Sequence, residues 1–162
     1  MLLRLVLPCL VLAIGVAAGS SFARSASPNG VETLNPPGAI KAQGTGSLGV
    51  RAGDLIFVAG MQGIDPATNA LVQDPEARIR QAFLNLKLIA ASEGAGLQDC
   101  VRLTVYVSDL RRAASLVDEV QAELWGKPPY PPRTMVEVRR LFDNAIVEMD
   151  QRVLCPGPEL TA

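Results

Sequence analysis

The clearest pattern in the chain is at Val101-Arg102-Leu103-Thr104-Val105-Tyr106-Val107, where apolar and polar side chains alternate. A period of two places Val101, Leu103, Val105 and Val107 on one face of a half-buried strand. Two other segments repeat at three and four residues instead. Ile79, Phe83, Leu86 and Ala90 make one apolar stripe, while Arg78, Asn85 and Ser92 fall elsewhere. Ala113, Leu116, Val117, Val120 and Leu124 make a second, with Asp118, Glu119 and Glu123 on the wet side. Both segments are amphipathic helices. The first starts at Asp74-Pro75-Glu76, where Asp caps free amides, Pro suits the first turn and Glu sits at the positive end of the helix dipole. Gly94 and Gly96 end it. The second runs from Leu110 to Trp125, and the proline-rich stretch Lys127-Pro128-Pro129-Tyr130-Pro131-Pro132 stops it.

The remaining apolar runs are shorter. Leu55-Ile56-Phe57-Val58-Ala59 follows the turn-like segment Val50 to Asp54 and is bounded by glycines, with Gly60 and Gly63 bracketing its exit. That is a buried strand. Gly38 to Gly49 reads as loop, Asp65-Pro66-Ala67-Thr68-Asn69 as a turn, and Val31 to Leu34 as a short strand. Thr134 to Val138 and Ala145 to Val153 are the last two strands, joined by Arg139 to Asn144. The order predicts a two-layer α+β sandwich, with five to six mixed strands and two helices packed on one face. The other face of the sheet must be hidden if it is apolar, and self-association is the economical way to do so.

The N-terminus differs from all of this. Arg4 precedes the apolar stretch Leu5 to Ala18, and Ser21-Phe22-Ala23 has the small-x-small shape of a cleavage site. Residues 1–23 read as a signal peptide cut after Ala23, which would place the mature protein in the periplasm or outside the cell. The alternatives are an uncleaved anchor, for which the run is shorter than the roughly 20 residues of a span, and a misassigned start, which would leave the protein cytoplasmic. Residues 24–38 are a flexible segment, 39–155 one domain and 156–162 a tail. Cys100 and Cys155 remain in the mature chain; an oxidising compartment permits a bridge, and sequence separation leaves its geometry open.

Composition then removes whole classes of function. The net charge of -1 comes with no basic stripe, so a footprint for nucleic acid is missing. Histidine is absent, which takes away the commonest metal ligand and the usual base near neutral pH. No phosphate loop, dinucleotide fingerprint, paired-cysteine metal spacing or nucleophile elbow occurs. No metal or cofactor is therefore expected.

Arg133 stands out by its setting, after four prolines and a tyrosine and before an apolar strand. A guanidinium on a stiff support can grip a carboxylate with two prongs; it can equally pair with a rim carboxylate or lay its stem over Tyr130. Glu148 interrupts the apolar run Ala145-Ile146-Val147-Glu148-Met149, and a carboxylate there must face water, an interface or a cation. Glu137 has the same local claim. Asn85, Tyr106 and Asp109 read most simply as helix-side, surface and turn residues.

In order and spacing, several segments resemble the RidA (YjgF/UK114) family. These are Gly53-Asp54-Leu55-Ile56-Phe57-Val58-Ala59-Gly60, Gln81-Ala82-Phe83-Leu84-Asn85-Leu86, the Val101–Val107 strand with Asp109, Pro132-Arg133-Thr134-Met135-Val136-Glu137-Val138 and Ala145-Ile146-Val147-Glu148-Met149. The resemblance runs from about Ile40 to Val153. It implies a homotrimer with clefts between subunits and hydrolysis of reactive 2-imino or enamino acids to 2-oxo acids and ammonia. By the same resemblance Arg133 binds the substrate carboxylate and Glu148 orients water. Phe57, Ala59, Gly60, Met135 and Asn85 complete the implied binding set, and Glu137 becomes structural. Three positions depart from the family pattern: Gly46 stands where deaminating members carry a tyrosine, Ala59 where they carry a serine, and Met135 where a small polar residue or cysteine is usual. Such a site is roomier and less polar on that side. A trimeric carboxylate-binding protein without turnover, or a holdase-like structural trimer, is the alternative.

Overall fold

The computed structural model describes residues 28–156, so the leader read at 1–23 lies outside the described residues, as do 24–27 and 157–162. Its main elements are β1 (Val31–Leu34), β2 (Gly49–Ala52), β3 (Leu55–Gln62), β4 (Ile64–Asp65), β5 (Ala70–Leu71), α1 (Pro75–Ala91), β6 (Cys100–Val107), α2 (Leu110–Trp125), β7 (Arg133–Glu137) and β8 (Val147–Leu154). Six strands form one sheet in the order β1-β2-β3-β8-β6-β7, and β4 pairs with β5 in a separate small hairpin. Neighbours in the main sheet are antiparallel except β6 and β7. Those two run parallel because α2 carries the chain back before β7 begins. This is the two-layer α+β sandwich expected from the sequence, with both helices on one face.

The core lies between the helices and that face. Ile79, Phe83, Leu86 and Ala90 of α1 are buried, as are Leu103, Val105 and Val107 of β6 and Val147, Met149 and Val153 of β8. Phe83 meets Trp125 edge-on, with ring centroids 5.7 Å apart, which ties α1 to the end of α2. The expected Asp74 cap is present: its side chain accepts from the Ala77 amide at 2.8 Å.

Several local readings are corrected. Val101 does not share the inward face of β6 but is 45% exposed, and Cys100 is buried in its stead. The cause is a register shift: Cys100 pairs with Val153 and Arg102 with Arg152, leaving Val101 as the extra residue of a bulge. Asn85 is not on an open helix side. It is 3% exposed, and its Nδ2 donates to the Gln62 and Ile64 carbonyls at 3.0 and 2.8 Å. In α2, Leu116 and Leu124 are only partly buried, while Gln121 and Trp125 go inside. The segment at 50–54 is strand followed by a two-residue hairpin, since Gly53 adopts φ +60 between β2 and β3. Arg133 belongs to β7 itself, and β8 begins two residues later than the alternation suggests. Cys100 and Cys155 are free and buried; burial pushes the Cys100 thiol up to about 11, against a weaker opposing effect of the Arg102 backbone.

Candidate active site in two clefts

Glu148 and Arg133 occupy different faces of the sheet. Glu148 pairs with Gln62 on β3 and Tyr106 on β6, and its alternation with the buried Val147 and Met149 turns it to the face away from the helices. Arg133 pairs with Leu103, whose side chain is buried under the helices, so the guanidinium lies on the helix side. Two strand spacings and three residues of rise separate them, roughly 14 Å between Cα atoms.

The Glu148 cleft has a volume of about 300 Å³ and is lined by Lys41, Gly46, Ala59, Gly60, Gln62 and Phe142 among others. Its floor is made by a bulge in β3: the pairing with β8 passes from Val58–Gln151 to Met61–Met149, so Ala59 and Gly60 share one partner position. A Cβ on Gly60 would overlap Glu148 Oε1 and lie 2.8 Å from Cδ, closer than such atoms approach. Glycine at 60 is thus required for the Glu148 carboxylate to lie across the strand. Gln62 Nε2 donates to Glu148 Oε2 at 2.9 Å and also reaches the Phe142 carbonyl at 3.4 Å. Ala59 donates its amide to the Leu48 carbonyl at 2.9 Å, which pins the bulge against the loop that carries Gly46.

The Arg133 cleft, of about 420 Å³, is lined by Asp118, Gln121, Ala122, Tyr130, Pro131 and Arg133. The guanidinium donates to Gln121 Oε1 at 2.6 Å and to Asp118 Oδ1 at 2.5 Å. The Asp118 side chain is 61% exposed and that of Arg133 24% exposed, so the pair sits at the rim with the cation the better shielded partner. Arg133 thus has a carboxylate partner in its own chain, and it borders an open cleft with donors to spare.

The other expected site residues separate. Ala59 and Gly60 line the Glu148 cleft, whereas Phe57 stands on the same sheet face between Val50 and Arg152. Met135 pairs with Val105 and packs against the core, and Asn85 holds the backbone beneath β3. Glu137 accepts the Leu110 amide at 2.8 Å and so serves the start of α2. Sequence reading missed Gln62, Gln121 and Asp118. A signal existed for the first two, since Gln62 interrupts the apolar run of β3 and Gln121 falls on the buried stripe of α2. Asp118 looks like any solvated helix residue. Among the described residues no group of three or more His, Cys, Asp or Glu could hold a metal ion.

The fold and the two clefts define a small α+β sandwich protein with a carboxylate on its open sheet face and an arginine at the end of its edge strand. A family model described as Endoribonuclease L-PSP matches residues 37–155, and the chain belongs to this RidA (YjgF/L-PSP) family. Among similar proteins, a 2-iminobutanoate/2-iminopropanoate deaminase from Salmonella typhimurium is 32% identical over 121 residues, 74% of this chain and 92% of the relative. A solved structure described as a probable translation initiation inhibitor from Rhodopseudomonas palustris is 41% identical, with a TM-score of 0.76 over 78% of this chain and 99% of that one. RidA from an Antarctic Psychrobacter species is 31% identical, with a TM-score of 0.72 over 75% and 98% of the two chains.

Proposed function

We propose that this protein is a cofactor-independent deaminase of reactive 2-imino and enamino acids, assembled as a homotrimer whose active sites are shared between subunits. The observation that carries it is the placement of Glu148, an interior-strand carboxylate held by Gln62 across Gly60, whose missing side chain leaves room for it, in a cleft sized for a small molecule. The similarity to a deaminase over three quarters of the chain supports the reaction class. Arg133 is too far away, and on the wrong face, to serve the same cleft in its own chain. A second copy docked against the open sheet face would supply it. The exported setting read from residues 1–23 belongs to the same proposal.

The chemistry suits these residue types. An imine carbon is already electrophilic, so catalysis needs a held carboxylate, an oriented water and stabilisation of the tetrahedral carbinolamine. Arg133 grips the carboxylate. Glu148 accepts a hydrogen bond from water, the water oxygen adds to C2, and the proton it releases is passed to the nitrogen. The C–N bond then breaks, leaving a 2-oxo acid and ammonia. Gly46 and Ala59 leave the cleft wide beside Glu148, which favours side chains larger than a methyl group.

The test is to generate 2-imino acids in situ with an amino-acid oxidase and follow 2-oxo acid release with the intact protein, Arg133→Ala and Glu148→Ala. Loss of charged hydrogen bonds worth about 1.5–3 kcal/mol should lower kcat/KM roughly 10- to 150-fold in Arg133→Ala, and Glu148→Ala should fall near background. Equal rates for all three proteins would refute the deaminase. Ligand binding by the intact protein without any turnover would establish the carboxylate-binding alternative, for which the Arg133–Asp118 pair is the supporting observation.

A further inference from the structure

Gln62 is the least comfortable side chain near the candidate site. It is 4% exposed, and its Oε1 is buried with no hydrogen-bond partner. Leaving a buried acceptor unpaired costs about 1–3 kcal/mol, and an apolar side chain of the same shape would avoid that cost. Nothing in the packing asks for an amide here. Gln62 is flanked by Met61, which is fully buried, and by Gly63, and the β3–β8 ladder it belongs to is held by main-chain bonds. What the amide does provide is its other end. Nε2 donates to Glu148 Oε2 at 2.9 Å, directly across the strand pair, and to the Phe142 carbonyl of the turn that borders the cleft.

We propose that Gln62 is a positioning residue for Glu148, kept at a cost to the fold because it fixes which carboxylate oxygen faces the reacting water. The inference rests on the deaminase reading and adds to it the device that aims the carboxylate. Glu148 Oε2 is occupied by Gln62, and Gly60 leaves the space into which Oε1 projects. One oxygen is thereby tied back and the other is left to accept from water. A glutamine serves better than a cation in this place, because a full positive charge would weaken the carboxylate as a proton acceptor. It serves better than a carboxylic acid, because Gln62 cannot be deprotonated.

Two substitutions separate this role from a structural one. Gln62→Met removes both the donor and the orphan acceptor while keeping the volume. It should lower kcat tenfold or more, the loss of one charge-assisted hydrogen bond at roughly 1.4 kcal/mol per tenfold. KM should stay within about twofold, because Arg133 holds the substrate from another element, and the thermal midpoint should be equal to or above that of the wild type. Gln62→Glu sets two carboxylates side by side. Such a pair shares a proton at low pH, when the acid at 62 can donate as the amide does, and repels when both are ionised. Its kcat relative to wild type at the same pH should therefore be near background at pH 8 and climb as the pH falls towards 5. A Gln62→Met enzyme with kcat within twofold of wild type, beside an impaired Glu148→Ala, overturns the positioning role while leaving the deaminase intact. A fall in kcat matched by a lower thermal midpoint, with a flat pH ratio for Gln62→Glu, also overturns it, showing Gln62 to be structural. A wild-type protein that does not accelerate imine hydrolysis refutes the deaminase itself, and with it this role for Gln62.

Discussion

Gly60 shows how much the geometry of a cleft can owe to what a residue lacks. Its missing Cβ is the space that Glu148 fills, so the two positions form a unit across the β3–β8 pair. Sequence singled out Gly60 as a strand-bounding glycine and Glu148 as an anomalous charge, but only the bulge at Ala59–Gly60 brings them together. Cys100 is a second case in which local environment sets behaviour. Its thiol is raised from the ordinary 9.0 to about 11 by burial. Below about pH 9 the thiol is protonated in both folded and unfolded chains and the burial of a neutral group is fully favourable. Between pH 9 and 11 the unfolded chain releases a proton that the folded one retains, so stability falls as pH rises. Urea midpoints at pH 8 and 10.5 should show this loss in the wild type and a smaller one in Cys100→Ala.

At the scale of elements, β6 and its bulge decide which side chains support the sheet. Leu103 is fully buried and Val101 is turned outward by the shifted register. Leu103→Ala should cost about 2–5 kcal/mol of unfolding free energy as a cavity opens under the helices. Val101→Ser should cost about 0.5 kcal/mol, whereas strict alternation would have made the two equivalent. Denaturant unfolding of both variants checks the bulge directly. The helices were the most legible elements, because Asp74-Pro75 and the proline run after Lys127 mark their limits with backbone chemistry that tertiary packing does not override. β2, β4 and β5 were not legible. They are two to four residues long, too short to show a period, and they are strands because a neighbouring strand satisfies their hydrogen bonds.

For the whole molecule, the separation of Arg133 from Glu148 is the decisive fact. If each active site takes Arg133 from one subunit and Glu148 from the next, neither variant alone has an intact site, yet mixed trimers do. Unfolding and co-refolding Arg133→Ala with Glu148→Ala in equal amounts should return about one quarter of wild-type activity, since each required residue is present at a given cleft about half the time. The separately refolded variants, mixed afterwards without exchange, should return none. Sites contained within one subunit would give no recovery in either case. Sedimentation equilibrium on the same samples should report a trimer throughout.

The sequence by itself determined the sandwich, both helices and the inward face of most strands, because periodicity, caps and prolines act over a few residues. Tertiary structure decided the rest. It placed Val101 outside and Asn85 inside, since burial depends on register and on which backbone lies overhead. It gave Arg133 a carboxylate partner fifteen residues earlier on α2, and it joined Gly60, Gln62 and Glu148 into one cleft. It also set Arg133 on the opposite side of the sheet from that cleft: the side chain of every strand residue points to one face or the other, and which face becomes known only when the strands are paired.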